Sequence, residues 1–130
     1  YLVRIVKLGI GVATILAIVL MPLAWWGGGA LVLVVYGLDV QEPAIYALTA
    51  LGASIATIQA VVNGALVANG GGWLLFASSI KAGVVSVAAI ALMLFPAEIS
   101  VGVAVTIAWC IFGLLHTSMC GRGLRRGVAE

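Results

Sequence analysis

The sequence predicts an all-α, polytopic membrane protein: a bundle of four transmembrane helices, leaving room for a short re-entrant or interfacial segment after the first. Three observations predict it. Hydrophobic residues make up 65% of the 130 and charged residues 8%, with a mean hydropathy of +1.31. A soluble domain carries about a quarter charged residues, because its surface must face water. Four apolar runs are long enough to cross about 30 Å of hydrocarbon. The few charges are also segregated, five of the six basic residues at the ends of the chain and three of the four acidic ones between the runs.

The first span is expected over about 5–26. Arg4 and Lys7 precede an uncharged run from Leu8 to Trp26. That run is longer than the core of a signal peptide, and no small-residue cleavage site follows it, so a retained helix is expected. Pro22 lies near its far end, where a lost backbone hydrogen bond costs least. Trp25 and Trp26 suit a membrane interface. Gly27-Gly28-Gly29 then predicts a break. Ala30–Tyr36 is too short to span alone, and is expected as a surface, re-entrant or bundle-packed piece.

Leu38–Glu42 is a polar connection, and Pro43 after acidic residues is a helix-start signal. The second span is expected over about 44–67. Asn69-Gly70-Gly71-Gly72 is a turn. The third follows over about 73–95, a break falls at Pro96–Ser100, and the fourth runs over about 101–119. A basic tail occupies 121–130. The two short turns predict that spans two, three and four are antiparallel neighbours in a single domain, 1–130.

With four spans, Arg4, Lys7, Arg122, Arg125 and Arg126 share one side, and Asp39, Glu42 and Glu98 the other. The positive-inside rule makes the basic side cytoplasmic, as in a bacterial-type plasma (inner) membrane with both termini inside. A fifth span at Ala30–Tyr36 would split the basic ends.

In lipid, helices are held by small residues and by polar groups bonding across the interface. Small and polar side chains fall at helical spacing on each span: Lys7, Gly11 and Thr14 on the first; Thr49, Gly52, Ala56, Gln59 and Asn63 on the second. The third offers Ser79, Gly83 and Ser86; the fourth offers Gly102, Thr106, Trp109, Gly113 and His116. These seams either glue the helices or, around Gln59 and Asn63, line a polar path. Interhelical polar contacts are worth about 0.6–2 kcal/mol each, so replacing Gln59 and Asn63 by Leu is expected to destabilise the fold.

Two ionisable side chains fall inside spans. Lys81 lies about two turns, roughly 12 Å, from the cytoplasmic end of the third. Either its stem snorkels to the headgroups or it is a functional intramembrane cation. His116, the only histidine, lacks the second axial ligand that haem usually needs. Its pairing with Cys120, four residues on, gives two ligands and no metal site. Cys110 and Cys120 are about 80° apart on one helix, cannot form a disulfide, and are expected as packed thiols. No nucleophile elbow, HExxH or Walker pattern occurs, and no carboxylate lies within a span, which argues against cation-coupled transport. The sequence therefore predicts no catalytic residue, cofactor, metal or nucleic-acid partner.

The expected partners are the bilayer, other membrane subunits or further copies of the chain. Arg122, Arg125 and Arg126 are expected at lipid headgroups. The functional expectation is a non-enzymatic accessory or structural subunit. The alternative is an oligomeric channel or small transporter with a polar path near Gln59, Asn63 and Lys81.

Overall fold

The computed structural model describes residues 2–95 and 99–129, all helices and short connections. The helices are α1 (Leu2–Tyr36), α2 (Pro43–Ala68), α3 (Gly72–Leu94) and α4 (Val101–Ala129). Each is long and apolar enough to cross a membrane. The sequence expectations about Pro96, Ala97 and Glu98, and the last residue of the tail, fall outside the described residues.

The break at Gly27–Gly29 does not occur. α1 runs unbroken for 35 residues through Pro22 and the three glycines, so Ala30–Tyr36 is its last two turns and not a separate segment. Glycine weakens a helix by about 0.5–1 kcal/mol relative to alanine in water. α1 packs along α2, which offsets that cost. Gly28 also seats a neighbour: a Cβ there would fall 2.5 Å from Cγ of Tyr46. The Tyr46 hydroxyl donates to the Val40 carbonyl (2.9 Å), fastening the connection to α2. The true end of α1 is Gly37, at φ +67°, whose N–H reaches the Leu33 carbonyl at 2.9 Å. Only a residue without a Cβ takes that left-handed cap at little cost.

α2 opens at Pro43, where a missing N–H is no loss. It closes on Gly70, at φ +77°, with Gly70 N–H bonded to Val67 O (3.0 Å) and Gly71 N–H to Leu66 O (2.9 Å). This pair of reversed bonds satisfies two terminal carbonyls. Ser100 caps α4: its hydroxyl receives the Val103 N–H at 3.4 Å and donates to the Glu42 carboxylate at 2.9 Å. That bond ties the starts of α2 and α4 together. α4 does not stop near Met119. Its helix continues through Arg122, Arg125 and Arg126, so the described part of the basic tail is helical.

The helices pack in the order α1–α2–α4–α3. α2 and α3, joined by the tight turn and expected as close neighbours, approach each other only marginally, because α4 sits between them. α1 approaches α2 alone among the described residues, and Ala13 is its one buried residue. The best-formed core lies where α1 begins, α2 ends, α3 begins and α4 ends: Val62, Leu66 and Cys120, with Val6, Leu74, Leu75 and Leu124 packed around them. Arg4, Lys7, Arg122, Arg125 and Arg126 therefore share one end of the molecule. Asp39 and Glu42 lie at the other.

Candidate functional site

α2 and α4 run parallel, and their contacts repeat every seven residues. Gly102 receives Ile45, Gly52 receives Trp109, and Gly123 lies two repeats further on against Leu66, with Leu74 of α3 beside it. A Cβ on Gly102 would sit 2.5 Å from Ile45 Cδ1, and one on Gly52 would sit 2.5 Å from the Trp109 ring. Gly113 does the same for Ile55, at 2.6 Å from Cγ2. Large residues of one helix thus fill notches left by glycines of the other. A seven-residue repeat keeps such a seam facing its partner along the helix. Gly52 and Gly113, singled out from the sequence, both lie in this seam.

The α3–α4 interface carries a buried polar cluster. His116, Ser78 and Cys120 are all at most 1% exposed. His116 Nδ1 lies 3.1 Å from Ser78 Oγ and 3.4 Å from Ser79 Oγ, and its Nε2 is 3.8 Å from Cys120 Sγ. Both serine hydroxyls donate back to the Leu75 carbonyl at 2.9 Å. Their protons are spent there, so Nδ1–H donates to Ser78, and the weak Cys120 S–H has two acceptors in reach, Ser78 Oγ at 3.2 Å and Nε2. A neutral imidazole satisfies the whole set. The Phe112 ring stacks on it at 5.7 Å, nearly coplanar at 6°.

This arrangement can hydrogen-bond α3 to α4 at a fixed register. Two ligating side chains from one helix turn do not complete a metal site, and among the described residues no group of three His, Cys, Asp or Glu comes together. The second cysteine, Cys110, is also a free, buried thiol, turned toward the Leu48 carbonyl of α2 at 3.4 Å.

Other sequence candidates land differently. Ser86 is buried but bonds its own helix, at the Ala82 carbonyl (2.8 Å). Gly83 has open space where a side chain would stand, so it is no packing notch. The buried row on α3 is instead Ser78, Ala82 and Ser86, one residue out of phase with the Ser79–Gly83 reading. Gln59 lies against α4 near Gly113. Asn63 points its Oδ1 into the interior without a hydrogen-bond partner. Neither amide bonds across an interface among the described residues. Lys81 is exposed on α3, on the far side of α4 from α2, so Gln59, Asn63 and Lys81 do not converge within one chain. Arg122, Arg125 and Arg126 are exposed along the last turns of α4.

Sequence reasoning missed Ser78 and the polar role of Cys120. The four-residue row of small side chains at 78, 82 and 86 was the available signal. The three-four row at 79, 83 and 86 competed with it, and only the α3–α4 register separates them. No known protein family matches the chain, and neither does any curated protein or solved structure.

Proposed function

We propose that the protein is an integral membrane protein with four spans, both termini cytoplasmic, in a bacterial-type plasma membrane. Its role there is that of a non-enzymatic accessory or structural subunit of a larger membrane complex. The observation that carries this reading is α1. It is about 52 Å long, rests on one neighbour, and buries a single alanine. Much of the rest of its length, including Ile18, Trp26 and Val34, is apolar and exposed. Lipid can cover such a helix, but a chain with no functional group on it gains nothing from so long an edge unless the edge is used. The fixed polar cluster and the glycine notches serve to keep α2, α3 and α4 as one rigid platform beside it.

The test is gentle extraction from native membranes of chains carrying a photo-crosslinker at Ile18 or Trp26, with Lys81 as a comparison site. The expected outcome is one identified membrane subunit joined at the α1 positions. A stable lone 13.3 kDa chain with only lipid crosslinked at α1 would overturn the subunit reading.

A second reading, an oligomeric channel or small transporter, draws support from the orphaned Asn63 Oδ1, a polar atom that a path assembled from several copies would hydrate. Ion flux through reconstituted vesicles, lost in Asn63→Leu, is its expected signature. Vesicles that stay sealed at several potentials would end it.

A further inference from the structure

We propose that the outer groove between α3 and α4 at the basic end is a seat for an anionic phospholipid, its phosphate held by Lys81, Arg122 and Arg126. The proposal rests on the membrane reading above.

The groove is located by one contact. Leu74 of α3 fills the notch at Gly123 of α4. Lys81 is seven residues beyond Leu74, two helical turns, so it lies on the same stripe of α3 and about 10 Å deeper. Arg122 precedes Gly123 by one residue and Arg126 follows it by three. Both fall on the same flank of Gly123, one turn apart from each other. Arg125 lies roughly 200° round the helix from Gly123 and faces away. All four basic side chains are exposed.

The direction of the lysine stem closes the gap in depth. Side chains on a helix tilt toward its N-terminus. α3 begins at the basic end, so Lys81 leans back toward the arginines rather than toward the bilayer centre. Its four-carbon stem can lie along apolar surface while the ammonium rises. On α4 the same rule would carry a basic side chain the other way, deeper into hydrocarbon. The helix that holds the deeper cation is therefore the one whose polarity suits it.

The occupant follows from charge and depth. Asp39 and Glu42 are at the opposite end of the molecule, tied to the α1–α2 connection and to Ser100. Among the described residues no carboxylate lies at the basic end, and an ammonium among acyl chains without an anion is costly. A phosphodiester at the headgroup level supplies the missing anion, and its acyl chains run down the exposed Val84, Val85 and Leu92 of α3. Each basic residue near a headgroup contributes roughly 1 kcal/mol.

The test uses the full chain reconstituted into vesicles of equal phosphatidylcholine and phosphatidylglycerol, floated, extracted mildly and weighed by native mass spectrometry. Wild type is expected to retain phosphatidylglycerol in preference to phosphatidylcholine. Lys81→Gln, Arg122→Gln and Arg126→Gln should each lower that preference about fivefold, while Lys81→Arg keeps it and Arg125→Gln leaves it unchanged. The exchanges are at exposed positions, and each variant's melting in the same detergent is compared with wild type. Equal retention by wild type and Lys81→Gln would overturn the proposal. So would a loss in Arg125→Gln as large as in Arg122→Gln, since that reports general attraction to the basic end. If the protein fails to float with the vesicles, the membrane reading falls first; if it floats without a lipid preference, the seat alone falls.

Discussion

At the scale of single residues, notches and hydrogen bonds decide stability, and chemical type alone misleads. Gly52 and Gly64 sit on the same helix. A Cβ on Gly52 meets the Trp109 ring, whereas one on Gly64 meets nothing within 4 Å. Gly52→Leu should therefore cost about 1–3 kcal/mol by overpacking, and Gly64→Leu close to nothing. Unfolding in mixed micelles with rising dodecyl sulfate measures both; equal losses would show that the α2–α4 seam is misplaced. The polar residues divide in the same way. Ser78 and His116 bond across α3 and α4, so a double-mutant cycle with Ser78→Ala and His116→Phe should yield a coupling of about 0.6–1.7 kcal/mol. Asn63 has a buried, unpaired oxygen. Such an atom costs free energy that an apolar isostere removes, so Asn63→Leu should leave stability unchanged or raise it. This reverses the expectation drawn from sequence, where an amide one turn from Gln59 looked like interhelical glue. An unfolding midpoint for Asn63→Leu clearly below wild type would restore the original view.

At the scale of elements, caps and spans were largely legible, and their reasons are local. Pro43 marked the start of α2 because a first-turn proline needs no N–H partner. Asn69–Gly72 marked a turn because Gly70 takes positive φ. The Gly27–Gly29 expectation failed because a missing Cβ serves close packing as well as turns. Gly28 is instead the seat of the Tyr46 ring of α2, a contact made by the continuing helix. The phase of the α3 seam also failed, for a different reason. Ser78 and Ser79 are 100° apart on a helix, and both are compatible with an inner face until α4 is docked. His116 was visible as a lone buried candidate, but its partner on α3 is 38 residues away. α1 offers a direct measurement. In detergent, the amides of Gly27–Gly29 and of Ala30–Val35 should exchange with solvent slowly, as one continuous helix with the residues before Pro22. The Pro22 position itself has no N–H, which leaves the Ile18 carbonyl without its usual donor. Rapid exchange confined to Gly27–Gly29 would restore the broken-helix reading.

At the scale of the whole molecule, charge and packing give the same answer by independent routes. Sequence charges alone place the two basic ends together only if the number of spans is even. The packing places them together through side chains: Val6, Leu74 and Leu124 pack against the cluster of Val62, Leu66 and Cys120, which requires α1 to start, α2 to end, α3 to start and α4 to end at one level. What the sequence could not convey is the order across the molecule. Short turns suggest that consecutive helices are nearest neighbours, yet α4 lies between α2 and α3, because the glycines of α2 and α4 notch each other's large residues and nothing comparable joins α2 to α3. The resulting topology makes a prediction at its own scale. Cysteine placed at Val3 and at Arg125, both exposed, should react with a membrane-impermeant maleimide from the same face of sealed inverted vesicles, and cysteine at Gln41 should react only from the other. The native Cys110 and Cys120 are buried and should stay silent in folded protein, so no background variant is needed. Labelling of Val3 and Arg125 from opposite faces would require an odd number of crossings. The four-helix arrangement could not survive that result, since the core around Cys120 draws on the ends of all four helices at a single depth.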